Sequence, residues 1–112
     1  QIGSLELSNS NLFLKNNRLI LNTNLLIDID NIENLFSFLN TSKSSRKKIE
    51  NILINLDYDF TVNQIKVNTL KINNNEVSDK LLRISEGFND NNFNNLTKSR
   101  RLINQILEAY DG

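Results

Sequence analysis

Asn51-Ile52-Leu53-Ile54-Asn55-Leu56-Asp57-Tyr58-Asp59-Phe60-Thr61-Val62 places an apolar side chain at every even position and, Leu53 apart, a polar one at every odd position. Successive side chains of a strand point to opposite faces, so this stretch reads as one long strand with an apolar side and a polar side. A helix would scatter the same residues around its circumference, and the period therefore decides between the two. An antiparallel sheet with one packed face requires this pattern.

Working outward, the flanking chain supplies the rest of such a sheet. Asn63-Gln64 reads as a tight turn into a further strand, Ile65 to Asn73. Its apolar residues change phase, from Ile65 and Val67 to Leu70 and Ile72, and one extra residue near Asn68-Thr69 would return all of them to one face as a β-bulge. Upstream, Arg18 opens a long strand. Leu19, Leu21, Thr23, Leu25, Ile27 and Ile29 point one way; Ile20 and Leu26 on the other side suggest that part of that face is covered too. Before it, Gly3 to Ser8 and Leu12 to Lys15 read as two short strands separated by a turn at Asn9-Ser10-Asn11, with Asn16-Asn17 supplying a two-residue hairpin turn.

The remaining segments are helical. Asp30 is a good N-cap and Glu33 can complete a capping box, with Ile32, Leu35, Phe36 and Leu39 following at helical spacing to an end near Asn40. Asn40 to Lys48 is a polar, basic loop. Asn73-Asn74-Asn75 closes the sheet. Leu81, Leu82, Ile84 and Phe88 mark a helix from about Asn75 or Ser78 to Gly87, and Asp90 to Asn95 is a polar connection. Leu102, Ile103, Ile106, Leu107 and Tyr110 form the stripe of a last helix beginning near Leu96, with Gly112 as its C-cap. The expected fold is one α+β domain over 1–112: strand-rich 1–30, helix and loop 31–48, β-hairpin 49–73, helical 75–112. An antiparallel sheet of about five strands carries about three short amphipathic helices on one face. Those helices are expected to cover most of that face, leaving at most a partial groove at one edge.

Composition narrows the chemistry. The 112 residues are enough for one core, and Lys+Arg and Asp+Glu balance at 13 each, so no net field draws in nucleic acid or an anionic membrane. The chain has neither cysteine nor histidine, which removes disulfides, thiolate chemistry, and the commonest general base and metal ligand. No apolar run in these 112 residues approaches the ~20 needed to span a bilayer, and no signal peptide is expected among them. The start at Gln1 and the lack of methionine read as an excised fragment of a longer chain. Abundant asparagine with common isoleucine and lysine reads as the codon usage of an AT-rich genome rather than as a prion-like segment.

Candidate sites are few. Asp28 with Asp30 and Asp57 with Asp59 each share a strand face, so the two pairs could meet as a Ca²⁺ site or carboxylate dyad; a solvated polar face with Asp30 spent as a cap is the preferred reading. Asp90-Asn91-Asn92-Phe93-Asn94 opens like an EF-hand loop but lacks the sixth-position glycine (Asn95) and the twelfth-position glutamate (Arg101), and Phe93 reads instead as a plug into the core. Lys43, Arg46, Lys47 and Lys48 form a basic cluster, as do Lys98, Arg100 and Arg101. Without interleaved aromatics they are solvated faces, with Lys43, Arg46, Lys47 and Lys48 the candidates for contact with a phosphate headgroup or acidic partner. Asn40-Thr41-Ser42 and Asn95-Leu96-Thr97 match the glycosylation acceptor, for which chance suffices in so asparagine-rich a chain. Serines are plentiful but no histidine exists to activate one, so neither catalytic residues, nor a metal, nor a cofactor is expected and the chain is read as non-enzymatic.

The order of the pieces resembles the C-terminal part of AsmA-like proteins, especially the alphaproteobacterial kind. The resemblance lies in Leu25-Leu26-Ile27-Asp28-Ile29-Asp30, then Leu35-Phe36-Ser37-Phe38-Leu39, the basic Ser45-Arg46-Lys47-Lys48-Ile49, and Ile54-Asn55-Leu56-Asp57-Tyr58-Asp59-Phe60. The segment Ile65 to Asn73, a Phe88-Asn89 turn and the ending Ile106-Leu107-Glu108-Ala109-Tyr110-Asp111-Gly112 extend it, so that it covers about Asn16 to Gly112. A proline associated with the basic loop is missing here. The resemblance implies a periplasmic section of an inner-membrane-anchored protein of Gram-negative bacteria. Its β-groove would serve phospholipid transport or outer-membrane biogenesis, with phospholipid and an envelope protein as partners and no nucleic acid. The alternative expectation is a protein–protein docking module using sheet edges or the basic loop.

Overall fold

The computed structural model describes residues 3–89 and 96–110. The chain is an α+β fold built on one antiparallel meander: β1 (Gly3–Lys15), β2 (Arg18–Ile29), β3 (Asn51–Asp59), β4 (Gln64–Ile72) and β5 (Asn75–Glu76), adjacent in that order. Helix α1 (Ile32–Leu39) lies between β2 and β3, while α2 (Asp79–Ser85), a 3₁₀ turn (Glu86–Asn89) and α3 (Leu96–Ala109) follow the sheet. At ~3.3 Å per residue the 13 residues of β1 alone run the length of the molecule, whose longest extent is 46 Å.

The expected bulge sits in β4: Asn55 pairs with Thr69 and Leu56 with Val67, so Asn68 is the extra residue. A second bulge corrects the expectation at the N-terminus. The separate strands Gly3 to Ser8 and Leu12 to Lys15 are one strand, because Ser8 pairs with Asn24 and Asn11 with Asn22, leaving Asn9 and Ser10 opposite Thr23 alone. Thr23 is 2% exposed, donates to the Ser8 carbonyl at 3.2 Å and lies 2.8 Å from the Ser10 hydroxyl. A threonine hydroxyl thus fills the gap that the bulge opens, where a turn would have ended the strand.

Asparagine does here what glycine does in most chains. Among the described residues the non-glycine positive-φ positions are Asn9, Asn16, Asn17, Asn40, Asn63, Asn73 and Asn74, all asparagine. Its short polar side chain tolerates the left-handed region better than other L-residues do. Asn16-Asn17 makes the expected β1–β2 hairpin, and Asn40 ends α1 as an αL cap. Asn73-Asn74 does not close the sheet but turns it into the short β5. Glycine is indispensable at Gly3, where a Cβ would collide with the Asp28 carbonyl across the ladder.

Other boundaries move for local reasons. The N-cap of α1 is Asn31, whose side chain accepts from the Asn34 amide at 3.1 Å; Asp30 stays outside the helix and exposed. β3 stops at Asp59, because its carboxylate accepts from the Thr61 amide at 2.9 Å and folds Phe60–Asn63 into a turn. Ser78 caps α2 through the Leu81 amide. The polar stretch Asp90 to Asn95, including Phe93 and the EF-hand-like residues, and Gly112 lie outside the described residues.

The core is Phe36, Leu39, Ile49, Leu70, Ile72 and Leu107, with Ile52 and Ile54 of β3 and Ile103, Ile106 and Tyr110 of α3 packed against it. α1, α2 and α3 therefore sit on one face of the sheet, over β3 and β4. Their cover stops short of β1, so less of the face is closed than the sequence leads one to expect.

Candidate functional site

Along β1 and the adjoining part of β2, no layer of the described residues lies over the apolar face. Leu5, Leu7, Leu12 and Leu14 are 65%, 56%, 62% and 74% exposed, and Leu19 and Phe60 extend the surface at 37% and 51%. The register sets these residues side by side: Leu5 opposite Ile27, Leu7 opposite Leu25, Leu12 opposite Leu21 and Leu14 opposite Leu19. The lane continues onto β3 through Ile54 and Tyr58, which pair with Leu25 and Leu21. It ends against the helical layer. Contiguous apolar surface of this kind marks a binding surface far more often than scattered exposed leucines do. Sequence reasoning missed it by reading alternation as burial; the available signal was that the helical stripes follow β2 and β4, with none placed beside β1.

The opposite face carries an amide network. Asn22 donates to Asp57 Oδ1 at 2.8 Å and to Asn55 Oδ1 at 3.1 Å, Asn55 donates to Asn24 Oδ1 at 2.9 Å, and Asn68 from the β4 bulge donates to Asn55 Oδ1 at 3.0 Å. Asp57 is thereby spent as an acceptor within the sheet. Asp28 pairs with Asn51, six residues along β3 from Asp57, about 20 Å at ~3.3 Å per residue. The two acidic pairs therefore do not meet, and among the described residues no group of three or more metal-ligating side chains converges. Asp59 binds Arg18 at 3.4 Å. Ile20 and Leu26, which suggested cover on this face, pair across strands with Phe13 and Leu53 and remain half-buried.

The basic loop is largely occupied by its own protein. Lys47 donates to the Leu107 and Glu108 carbonyls at 3.2 and 3.1 Å, where a cation neutralises the negative end of α3. Arg46 donates to the Thr41 carbonyl at 3.2 Å, pairs with Glu33 at 3.5 Å and lies over the Phe36 ring. Lys48 pairs with Glu50 at 3.4 Å, both side chains being exposed, and Lys43 is exposed in the short turn Lys43–Ser45. Thr41 of the glycosylation-like triplet is buried and donates to Asn104 Oδ1 at 2.7 Å. In the second basic cluster Arg100 stacks over Phe38 with its guanidinium 4.6 Å from the ring centre. A cleft of about 200 Å³ between β5, α2 and the end of α3 is lined by Glu76, Ser78, Leu81 and Tyr110, among other described residues.

Compared with known proteins, the chain matches no family model, no curated protein and no solved structure. No helix among the described residues is long and apolar enough to cross a membrane.

Proposed function

We propose that the chain is a non-enzymatic section of an AsmA-like envelope protein, periplasmic and held to the inner membrane, whose open leucine face adds to an apolar path for phospholipid in outer-membrane biogenesis. What supports this most is the bare lane of Leu5, Leu7, Leu12 and Leu14 on a long sheet that is roofed at one side only. An acyl chain laid on that lane would remove its apolar surface from water, at roughly 25 cal/mol per Å² buried. The lane carries few polar groups: the Thr23 and Ser10 hydroxyls lie 2.8 Å apart within the bulge, Thr23 also donates to the Ser8 carbonyl, and Tyr58 brings a phenol on the β3 side. Lys43, Arg46 and Lys48 are the exposed cations of the basic loop and the candidates for a headgroup.

The test is titration with a fluorescent short-chain phospholipid below its micellar concentration. Saturable binding is expected, lost in Leu12→Asp/Leu14→Asp with the melting temperature unchanged. Absence of saturable binding, or equal affinity in that variant, would overturn the reading. The free backbone edge of β1 favours a second use of the same region, the docking of a protein strand.

A further inference from the structure

β1 is the outer strand of the meander, and its free edge can be read residue by residue. The Leu19 carbonyl accepts from the Phe60 amide and the Ile29 amide donates to the Glu50 carbonyl, so the odd residues of β2 direct their backbone groups toward β3. Their partners on β1 then direct theirs away from β2. Those partners are Leu14, Leu12, Leu7 and Leu5, opposite Leu19, Leu21, Leu25 and Ile27. Among the described residues, the four exposed leucines therefore also carry the amides and carbonyls of the edge that have no strand partner. Leu5 and Leu7 are odd and Leu12 and Leu14 even; only the Asn9–Ser10 bulge brings them into one phase and onto one face.

The strand is close to a palindrome. Leu5-Glu6-Leu7-Ser8-Asn9 runs into Ser10-Asn11-Leu12-Phe13-Leu14, with leucine at mirrored positions 5 and 14 and again at 7 and 12, and small polar residues between. Such symmetry can be satisfied fully only by another copy of the same strand, since a two-fold interface sets residue i against j and j against i. We propose that a second copy of this chain pairs antiparallel along β1, about a two-fold axis between Asn9 and Ser10, joining the two sheets into one.

In that pairing Leu5 lies opposite Leu14 of the second copy and Leu7 opposite Leu12, each with its backbone groups already facing the partner. The bulges of both copies meet at the axis, so the interruption falls once and the ladders on either side keep their register. Glu6 lies opposite Phe13, diagonal to Lys15 of the second copy on the same face, and no like charges oppose each other. Apart from the Asn9–Ser10 bulge, which the pairing places at the axis, the usual protections of an edge strand are sparse here: β1 is 13 residues long, contains no proline, and has only Glu6 and Lys15 as charges. Pairing at the edge leaves the leucine face open, so this inference and the lipid reading can fail separately.

Sedimentation equilibrium of the 112-residue chain in lipid-free, detergent-free buffer should give a concentration-dependent species of twice the 12.9 kDa monomer. Leu7→Lys/Leu12→Lys puts like charges opposite each other on both sides of the axis and should weaken association by roughly tenfold or more. Leu7→Lys/Leu12→Glu should restore it, because each lysine then faces a glutamate. The chain has no cysteine, so register can be read by mixing Glu6→Cys and Phe13→Cys chains. The mixed disulfide should form in preference to either homodisulfide. A monomer up to the solubility limit, a dimer indifferent to the lysine pair, or homodisulfides as abundant as the mixed one would each overturn the proposal.

Discussion

β4 and β1 alternate apolar and polar residues alike, and their fates are opposite. Val67, Leu70 and Ile72 of β4 are buried, the last two in the core shared with the helices, whereas Leu5, Leu7, Leu12 and Leu14 of β1 stand in solvent. Alternation thus fixes which face is apolar but not whether anything covers it. Cover is decided by tethers. α1 leaves from β2 and returns to β3, and α2 and α3 follow β5. Connections in a compact domain are short, so each helix lands near the strand it leaves, and none starts from β1.

The sharpest break of this comparison is to damage each side in turn. Phe36→Ala, in the covered half, should cost about 3–5 kcal/mol, the usual loss for a buried phenylalanine, measured as a shift of the urea midpoint at constant m-value. Thr23→Val, at the junction of β1 and β2, keeps the shape but loses the hydroxyl that accompanies the β1 bulge. A cost of about 1–2 kcal/mol is expected, and an unchanged midpoint would mean that the bulge stands without it. Asn55→Ala, at the hub of the amide network, should cost about 1 kcal/mol. That exceeds what an exposed site would lose, because Asn55 exchanges hydrogen bonds with Asn22, Asn24 and Asn68. Lys47→Ala should cost about 0.5–1 kcal/mol through the C-terminus of α3, and Lys48→Ala close to nothing, since exposed pairs contribute about 0–1 kcal/mol. Comparably small, Leu14→Ala on the bare side should stay within about 0.5 kcal/mol; a loss like that of Phe36→Ala would mean that β1 is covered after all.

Much of the sheet was legible. The Asn16-Asn17 hairpin, the β4 bulge at Asn68, the αL end of α1 at Asn40 and the start of α3 at Leu96 all lie where periodicity and turn chemistry put them. Each depends on residues within a few positions of itself. The misreadings depend on distant partners. Asn9-Ser10-Asn11 suits a turn as well as a bulge, and only the unbroken run of β2 through Thr23 decides for the bulge. The choice of Asn31 over Asp30 as cap rests on a shift of one residue that periodicity does not resolve. The basic loop was legible as a cluster but not in its use, because the carbonyls that Lys47 meets belong to a helix 60 residues away in sequence.

The sequence by itself determined the period of each segment, the asparagine turns between them, the α+β class, and the absence of histidine and cysteine chemistry. Those are properties of neighbouring residues and their backbone preferences. Only the tertiary structure decided that β1 is one strand, that Lys47 closes α3, and that one lane of leucines lies bare while another is roofed. Burial is a relation between segments far apart in the chain, and a strand carries the same alternation whether or not a helix arrives to cover it.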